Sequence, residues 1–572
     1  VIKNFTLRNG IGFEGNGSAI LMGGDYYGYG PKLENLCITQ NYDGAIKSFG
    51  STFSLKNSRI INNHDWGIGF QYLQLSTLDN VIISGNQGRG VDIESSGASP
   101  VFNNVTISNN VGGNGAGVRC QDQASPTFTN CVISNNTATG SGGGIYAENS
   151  SFTLDSVTVS NNTASGSGGG IYSYENSEST IKNSFISNNT SSAVGGGLTS
   201  YRTPIFIYNT VIDSNESTNE SGGGIYIDQT HGAGVRVIDS KISNNVANQG
   251  GGIYFHGKLI LVNSYLTNNA ANEKGGGFVS CCGADVTMDN VTITGNTTNN
   301  AAYGNGLLIT GSSANQISVA NSIIWGNDFG NITFDQNGEG ADGHVLNVNY
   351  SLVGGGQDSI TTNGNTINWG SGNIDADPLF SDTANGDYTL LASSPVIDVG
   401  NPNAFYNDGD GTRNDMGYTG GNGISLSATE LDFGYVGAGD SRNTIITITN
   451  AKDSDISVSG ASFDDTQFSA TTSFPVTVAA YSAADITFTF TPTATGVKTG
   501  TLQLSSDNIP GDATYGEFAL SGNAFDLSDG VVQVPGEVPT IQGAIDATSN
   551  GDTVQVAAGT YYENIEINGK YI

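Results

Sequence analysis

The chain reads as short bursts in which apolar and polar residues alternate, cut by asparagine and glycine. Three consecutive bursts are Phe152-Thr-Leu154, Val157-Thr-Val159 and Ile171-Tyr-Ser173. Alternation at period two over three to five residues, bounded by turn formers, predicts short strands, whereas a helix needs an apolar stripe at period 3.6. The bursts recur. A Gly-rich turn leads into an apolar residue at Val91, Val118, Ile145, Ile171, Leu198, Ile225, Ile253 and Phe278, at steps of 27, 27, 26, 27, 27, 28 and 25 residues. Weaker predecessors stand at Ile20, Ile46 and Ile68. A near-constant period of this length marks a stacked repeat. Three short strands per unit predict a parallel β-solenoid whose coils stack about 4.8 Å apart, with inward Val, Ile, Leu and Phe in columns.

Asparagine pairs keep the same period, at Asn109-Asn110, Asn135-Asn136, Asn161-Asn162, Asn188-Asn189, Asn244-Asn245 and Asn268-Asn269. An Asn repeated in every coil can point into the turn and pass amide hydrogen bonds to the Asn above and below. The glycine triplets permit positive φ at the next corner. Both features read as structural, and the turn ladder explains Asn-x-Ser/Thr sites such as Asn161 without any glycan. Residues 1–350 resemble the right-handed parallel β-helix of the pectate-lyase-like superfamily, particularly its Asn- and Gly-rich bacterial surface members. The resemblance implies an architecture and no particular activity.

After "NSIIWGND" the repeat decays, and "DADPLFSDTANGDYTLLASSPVIDVGNP" followed by "NDGDGTRNDMGYTGG" takes over. Residues 375–421 resemble the C-terminal region of the choice-of-anchor Q family, which implies an irregular cap over an end of the solenoid. From "ISLSATELDFGYVGAG" the chain turns to longer alternating strands that predict a β-sandwich. Phe433-Gly434, Val436, Gly439 and the strand from Phe488 to Gly496 carry a resemblance to the immunoglobulin-like ASPM/SPD-2/hydin domains, also called choice-of-anchor D. That resemblance implies a spacer or binding module. The last segment, "VPGEVPTIQGAIDATSNGDTVQVAAGTYYENIEINGKYI", looks like the start of another β-helix. Its short helix, Thr540 to Thr548, carries Ile541, Ala544 and Ile545 on one face, and Val554-Gln-Val556 and Ile565-Glu-Ile567 read as first-coil strands. The expected division is a β-helix over 1–373, a cap over 374–423, a sandwich over 424–525 and a β-helix start over 526–572. The fold class is all-β.

Composition narrows the function. With 19 basic against 52 acidic residues the net charge is −33, which disfavours nucleic acid and anionic membrane as partners. No apolar run is long enough to span a bilayer. The five cysteines, Cys37, Cys120, Cys131, Cys281 and Cys282, form no disulfide framework and no metal spacing. By register, Cys120 takes the place of Ala147 and Cys131 that of Val157, so both are expected to be buried. Cys281 and Cys282 are adjacent, an arrangement in which disulfides are rare.

Candidate chemistry is sparse. Asp408, Asp410 and Asp415 supply oxygens between glycines, as a calcium site wants, and equally fit an acidic turn. No other cofactor is expected. Asp92 and Glu94, outward neighbours on one strand about 7 Å apart, are the best carboxyl pair for an inverting glycosidase. They also look like any solvated strand, as His64-Asp65 beside Trp66 looks like a corner. Outward Tyr146, Tyr172, Tyr226 and Tyr254 share a row with Arg119 and Thr199. That row is a sheet-stabilising ladder, a lateral contact or a glycan platform. The expected role is a non-enzymatic extracellular or cell-surface structural protein, a filament or stalk built by head-to-tail continuation of the chain with itself, either as tandem repeats of a longer chain or by docking of separate subunits. A glycan-binding adhesin is the alternative, and a polysaccharide lyase or glycosidase the distant one. The residues expected at the joint are Val1, Ile2, Phe5, Leu7, Ile541, Ala544, Ile545, Ile565, Ile567, Tyr571 and Ile572.

Overall fold

The structure, a computed structural model, describes the chain except residues 11–17, 24–28, 73–74, 96, 176–177, 229–233, 301–302, 336–342, 404–405, 409–410, 422, 429, 451, 453, 481, 507–514, 564, 566, 568–569 and 571. Two compact units emerge, one of Val1–Asn401 with Asp415–Gly420, the other of Pro402–Asn414 with Gly421–Ile572.

The first unit is a right-handed parallel β-solenoid built on sheets of 24, 13 and 8 strands. The thirteen-stranded sheet begins its strands at the residues that set the sequence period, from Ile20, Ile46 and Ile68 through Phe278, and adds Leu307 and Ile332. Registers are in step: Ile145 pairs with Val118 and Ile171, and Leu198 with Ile171 and Ile225. The inward columns are dry, Phe102, Phe128, Leu154 and Ile181 among them. Burial of such columns is the main stabilisation, at about 25 cal/mol per Å² of apolar surface. The eight-stranded sheet has strands as short as two residues, and inward alanines at 116, 138 and 164 let its corner close tightly.

The buried asparagine ladder is continuous from Asn41 to Asn327. At each step the backbone N–H and Nδ2 of one Asn both donate to Oδ1 of the next, as Asn136 does to Asn162 at 3.0 and 2.9 Å. The same Nδ2 also donates to a carbonyl of the coil before, Asn162 to Ile133 at 2.9 Å. The two members of a pair divide the work. Asn162 is fully buried in the ladder, while Asn161 takes a left-handed backbone, φ 55°, and turns the chain. The ladder also runs through Asn41, Asn63, Asn86, Asn215, Asn296 and Asn327, where no Ser-Asn-Asn triplet announces it.

The irregular segment differs from its expected place across an end. It lies along the flank of the last coils, where Tyr418 packs on Tyr265 with ring centres 4.3 Å apart and Tyr388 Oη donates to Asn268 Oδ1. The reason is apolar surface on that flank: Ile323 and Leu352 point outward and are buried with Val396 and Met416 in a separate small core. The segment is also not one piece, since 402–414 clusters with the second unit.

In the second unit, sheets of four and five strands, almost all antiparallel, form the sandwich. Phe433, Phe468, Phe488 and Phe490 fill its centre. Beyond it, parallel strands Val531–Val534 and Thr553–Val556 pair, and the helix Ile541–Ala547 is capped by the Thr540 hydroxyl, which accepts from the Gly543 N–H.

Candidate functional site

The outward face of the thirteen-stranded sheet gathers most of the candidate chemistry. Arg119, Tyr146, Tyr172, Thr199, Tyr226 and Tyr254 occupy one unbroken row of backbone partners. Tyr146 and Tyr172 stack at 5.2 Å, and Tyr226 and Tyr254 at 5.4 Å. Thr199 would break the stack, but Tyr201, two residues further along the same strand, reaches both sides, 5.9 Å from Tyr172 and 5.5 Å from Tyr226. Tyr201 escaped the sequence reading; the signal was a second outward tyrosine at Tyr174 and Tyr201.

The row is not laid open to solvent. Tyr146 is 7 % exposed and the other three are half-buried. The first glycine of each triplet closes over them. Gly142 has φ +68°, and a Cβ there would stand 2.8 Å from that of Tyr146. Burial accordingly raises the phenols, Tyr146 to about 12. Of the three readings of the row, these observations carry the packing ladder furthest.

Asp92 and Glu94 do point outward together, and Arg119 binds both. Its Nε and Nη2 donate to the two oxygens of Asp92 at 2.6 and 2.8 Å, and Nη2 also meets Glu94. A pair held by one guanidinium must first surrender it before either carboxyl can move a proton to a substrate. A cavity of about 320 Å³ lies beside this cluster, bordered by Lys47, Trp66 and Arg89. Burial raises Asp65, which lines it too. His64 sits at the expected corner, stacked on Tyr42 at 5.0 Å.

The joint residues divide. The strand Ile2–Arg8 pairs on one side only among the described residues and leaves Val1, Ile2 and Phe5 exposed, with Leu7 packed on the core. Ala544 and Ile545 are buried, Ala544 in a small core with Phe525, Val532, Val534 and Val538, against which Ile541 also packs. The helix therefore plugs its own segment. Ile565, Ile567 and Ile572 are exposed, and Ile565 and Ile567 lie in no strand, contrary to expectation; Tyr571 is outside the described residues. Polar ties hold this stretch instead: Glu563 accepts from the Ile541 and Gln542 N–H groups, and Lys570 Nζ donates to the carbonyls of Ile545, Asp546 and Thr548.

Of the acidic trio, Asp408 accepts from the Gly421 N–H at 2.5 Å and Asp415 from the Asp398 N–H at 2.7 Å; Asp410 is outside the described residues. Among the described residues no group of three or more His, Cys, Asp or Glu gathers as a metal site would require. Cys120 and Cys131 are buried as their register implies, the latter thiol pushed up to about 11 by burial. Cys281 and Cys282 are joined in a disulfide at the left-handed corner of Cys282, φ 67°, against the low expectation for neighbours.

Family comparison follows this division. The model of right-handed β-helix regions matches residues 1–116 and 116–280, and that of the ASPM-SPD-2-Hydin domain matches 424–511. No curated protein matches the chain. Solved structures that resemble it include the PapD-like domain 7 of human CEP192, at 12% identity over 18% of this chain and 86% of that one, TM-score 0.15. The secreted serine protease VesC of Vibrio cholerae resembles it at 19% over 18% and 23%, TM-score 0.15. A family 123 glycoside hydrolase from Clostridium perfringens does so at 12% over 18% and 27%, TM-score 0.16. Likeness at this level carries no activity across.

Proposed function

For a chain that joins a right-handed β-helix region to an ASPM-SPD-2-Hydin domain, we propose a structural role outside the cell, as a stalk or filament whose units continue head to tail. The observation that supports it best is the constancy of the stack: parallel strands keep register from coil to coil, and the buried asparagine ladder runs from Asn41 to Asn327. Every added rung gains the same apolar columns and backbone ladder, so continuation is downhill with no new surface to invent. The acidic surface, net −33, keeps such rods apart laterally and soluble.

Sedimentation velocity over a concentration series tests this reading. It predicts species larger than one chain that dissociate on dilution and vanish in the double variant Ile2→Asp, Phe5→Asp. A single species of one chain at every concentration counts against it. The glycosidase reading rests on Asp92 and Glu94, and their shared hold on Arg119 argues for an ion-paired wall.

A further inference from the structure

A second cleft, of about 530 Å³, lies wholly within the first unit, between the solenoid flank and the hairpin formed by Phe380–Asp382 and Asp387–Leu390. Its floor is made by the corner that elsewhere carries the first asparagine of each pair. At earlier coils that corner is Asn161, Asn188, Asn244 and Asn268, all at φ near 55°. At the two coils under the cleft it is Gly295 and Gly326, at φ 66° and 63°.

At Gly326 the backbone does not demand glycine. The left-handed conformation is the one asparagine adopts along the same row, and a Cβ there would meet nothing nearer than Thr294 Oγ1 at 3.6 Å, an ordinary contact. What glycine supplies is room. At Gly295 a Cβ would fall 2.6 Å from Asn268 Oδ1, so crowding is reason enough there.

The walls of the cleft are of two kinds. Trp325 and Phe380 are half-buried, and Leu391 is 45 % exposed. Against them stand the amide of Asn268, whose Nδ2 has no partner among the described residues, the hydroxyls of Thr294 and Thr383, and the carboxylate of Asp377. Asp377 Oδ1 accepts from the N–H of Leu379, which it holds in a left-handed backbone at φ 54°. A leucine in that conformation persists only where the surroundings impose it, as at ligand clamps. Among the described residues no lysine or arginine lines the cleft.

Aromatic faces beside amide, hydroxyl and carboxylate groups match a ring with an apolar C–H face and hydroxyl edges. The volume sits within the usual range for small-ligand sites of about 300–1,000 Å³. The absence of cations from the lining, beside a carboxylate and within a strongly acidic chain, disfavours an anionic ligand. We propose that this cleft binds a neutral saccharide, one sugar ring lying against Trp325 and Phe380 with its hydroxyls on Asn268, Thr294 and Asp377. The site is separate from the first strand and stands whether or not units assemble.

The test is a titration of the full chain with cellotetraose, xylotetraose, mannotetraose and chitotriose, followed by tryptophan fluorescence, with trigalacturonate and tetramethylammonium as comparison ligands. Binding of at least one neutral sugar is expected. It should weaken tenfold or more in Gly326→Asn, which restores the row's asparagine at its own backbone conformation and fills the floor, and in Asn268→Ala. Loss of the optical signal in Trp325→Phe, with binding still seen by calorimetry, would locate the ring. Binding of none of the four neutral sugars overturns the proposal. So does preference for trigalacturonate or tetramethylammonium, or neutral-sugar binding that Gly326→Asn leaves unchanged. Circular dichroism of each variant shows that it is folded, and sedimentation of Gly326→Asn should match the parent even if the assembly reading fails.

Discussion

Asn161 and Asn162 are neighbours with unequal burdens, and exchanging each shows it. Removing the Asn162 amide strands two buried donors of Asn136 and one carbonyl of Ile133. At about 1–3 kcal/mol for each unsatisfied buried group, Asn162→Ala should cost roughly 3–5 kcal/mol. Asn161→Gly keeps the left-handed turn and should stay within about 1 kcal/mol of the parent. Urea denaturation of the two variants checks the contrast. Asp289 carries a second residue-scale prediction. It is fully buried, accepts from Asn321 Nδ2 at 2.9 Å, and burial lifts its carboxyl to about 7 from 3.8. Between those values the unfolded chain is ionised at this residue and the folded chain is not. Its contribution therefore falls as pH rises from about 4 to 7, by roughly 1.4 kcal/mol per unit, and levels above 7. Asp289→Asn should match the parent near pH 4 and exceed it in stability at pH 8. Thermal melts across that range that run parallel for the two proteins would refute this.

The solenoid strands were legible because their information is periodic. An inward Ile145 or Ile171 looks alike in every coil, and parallel stacking turns sequence period directly into register. Lone asparagines such as Asn215 and Asn296 were not legible, because their partner residue is Ser214 or Gly295 and only the fold shows that a left-handed corner is shared. Nor could the chain alone reveal that Arg119 bridges Asp92 and Glu94, since that contact crosses coils 25 and 27 residues apart in sequence. The flank position of the irregular segment was hidden for a related reason: Ile323 and Leu352 are outward residues that need cover, and periodicity counts them as ordinary strand positions. The glycine triplet and tyrosine row make one element together. Gly142→Ala puts a Cβ 2.4 Å from the Ile145 carbonyl oxygen in a left-handed backbone. It should destabilise by more than about 2 kcal/mol and raise the exposure of Tyr146, read by tyrosine accessibility to nitration.

At the scale of the molecule, a solenoid gains stability by neighbour contacts alone, so its ends matter more than its middle. Among the residues proposed for the joint, Ile2 and Phe5 are exposed on the strand Ile2–Arg8, while the helix Ile541–Ala547 packs into a small core of its own segment. The joint proposed here therefore depends on Ile2 and Phe5 more than on the helix face, a shift from what the apolar spacing of Ile541, Ala544 and Ile545 implied. The cleft proposed to bind a saccharide lies far along the chain from that strand. Negative-stain electron microscopy of the purified chain at rising concentration tests the central claim most directly. The account predicts rods joined end to end, with lengths in multiples of one unit, that fall apart to single units in the Ile2→Asp, Phe5→Asp variant. Separate single units at every concentration, with the variant indistinguishable from the parent, would contradict it.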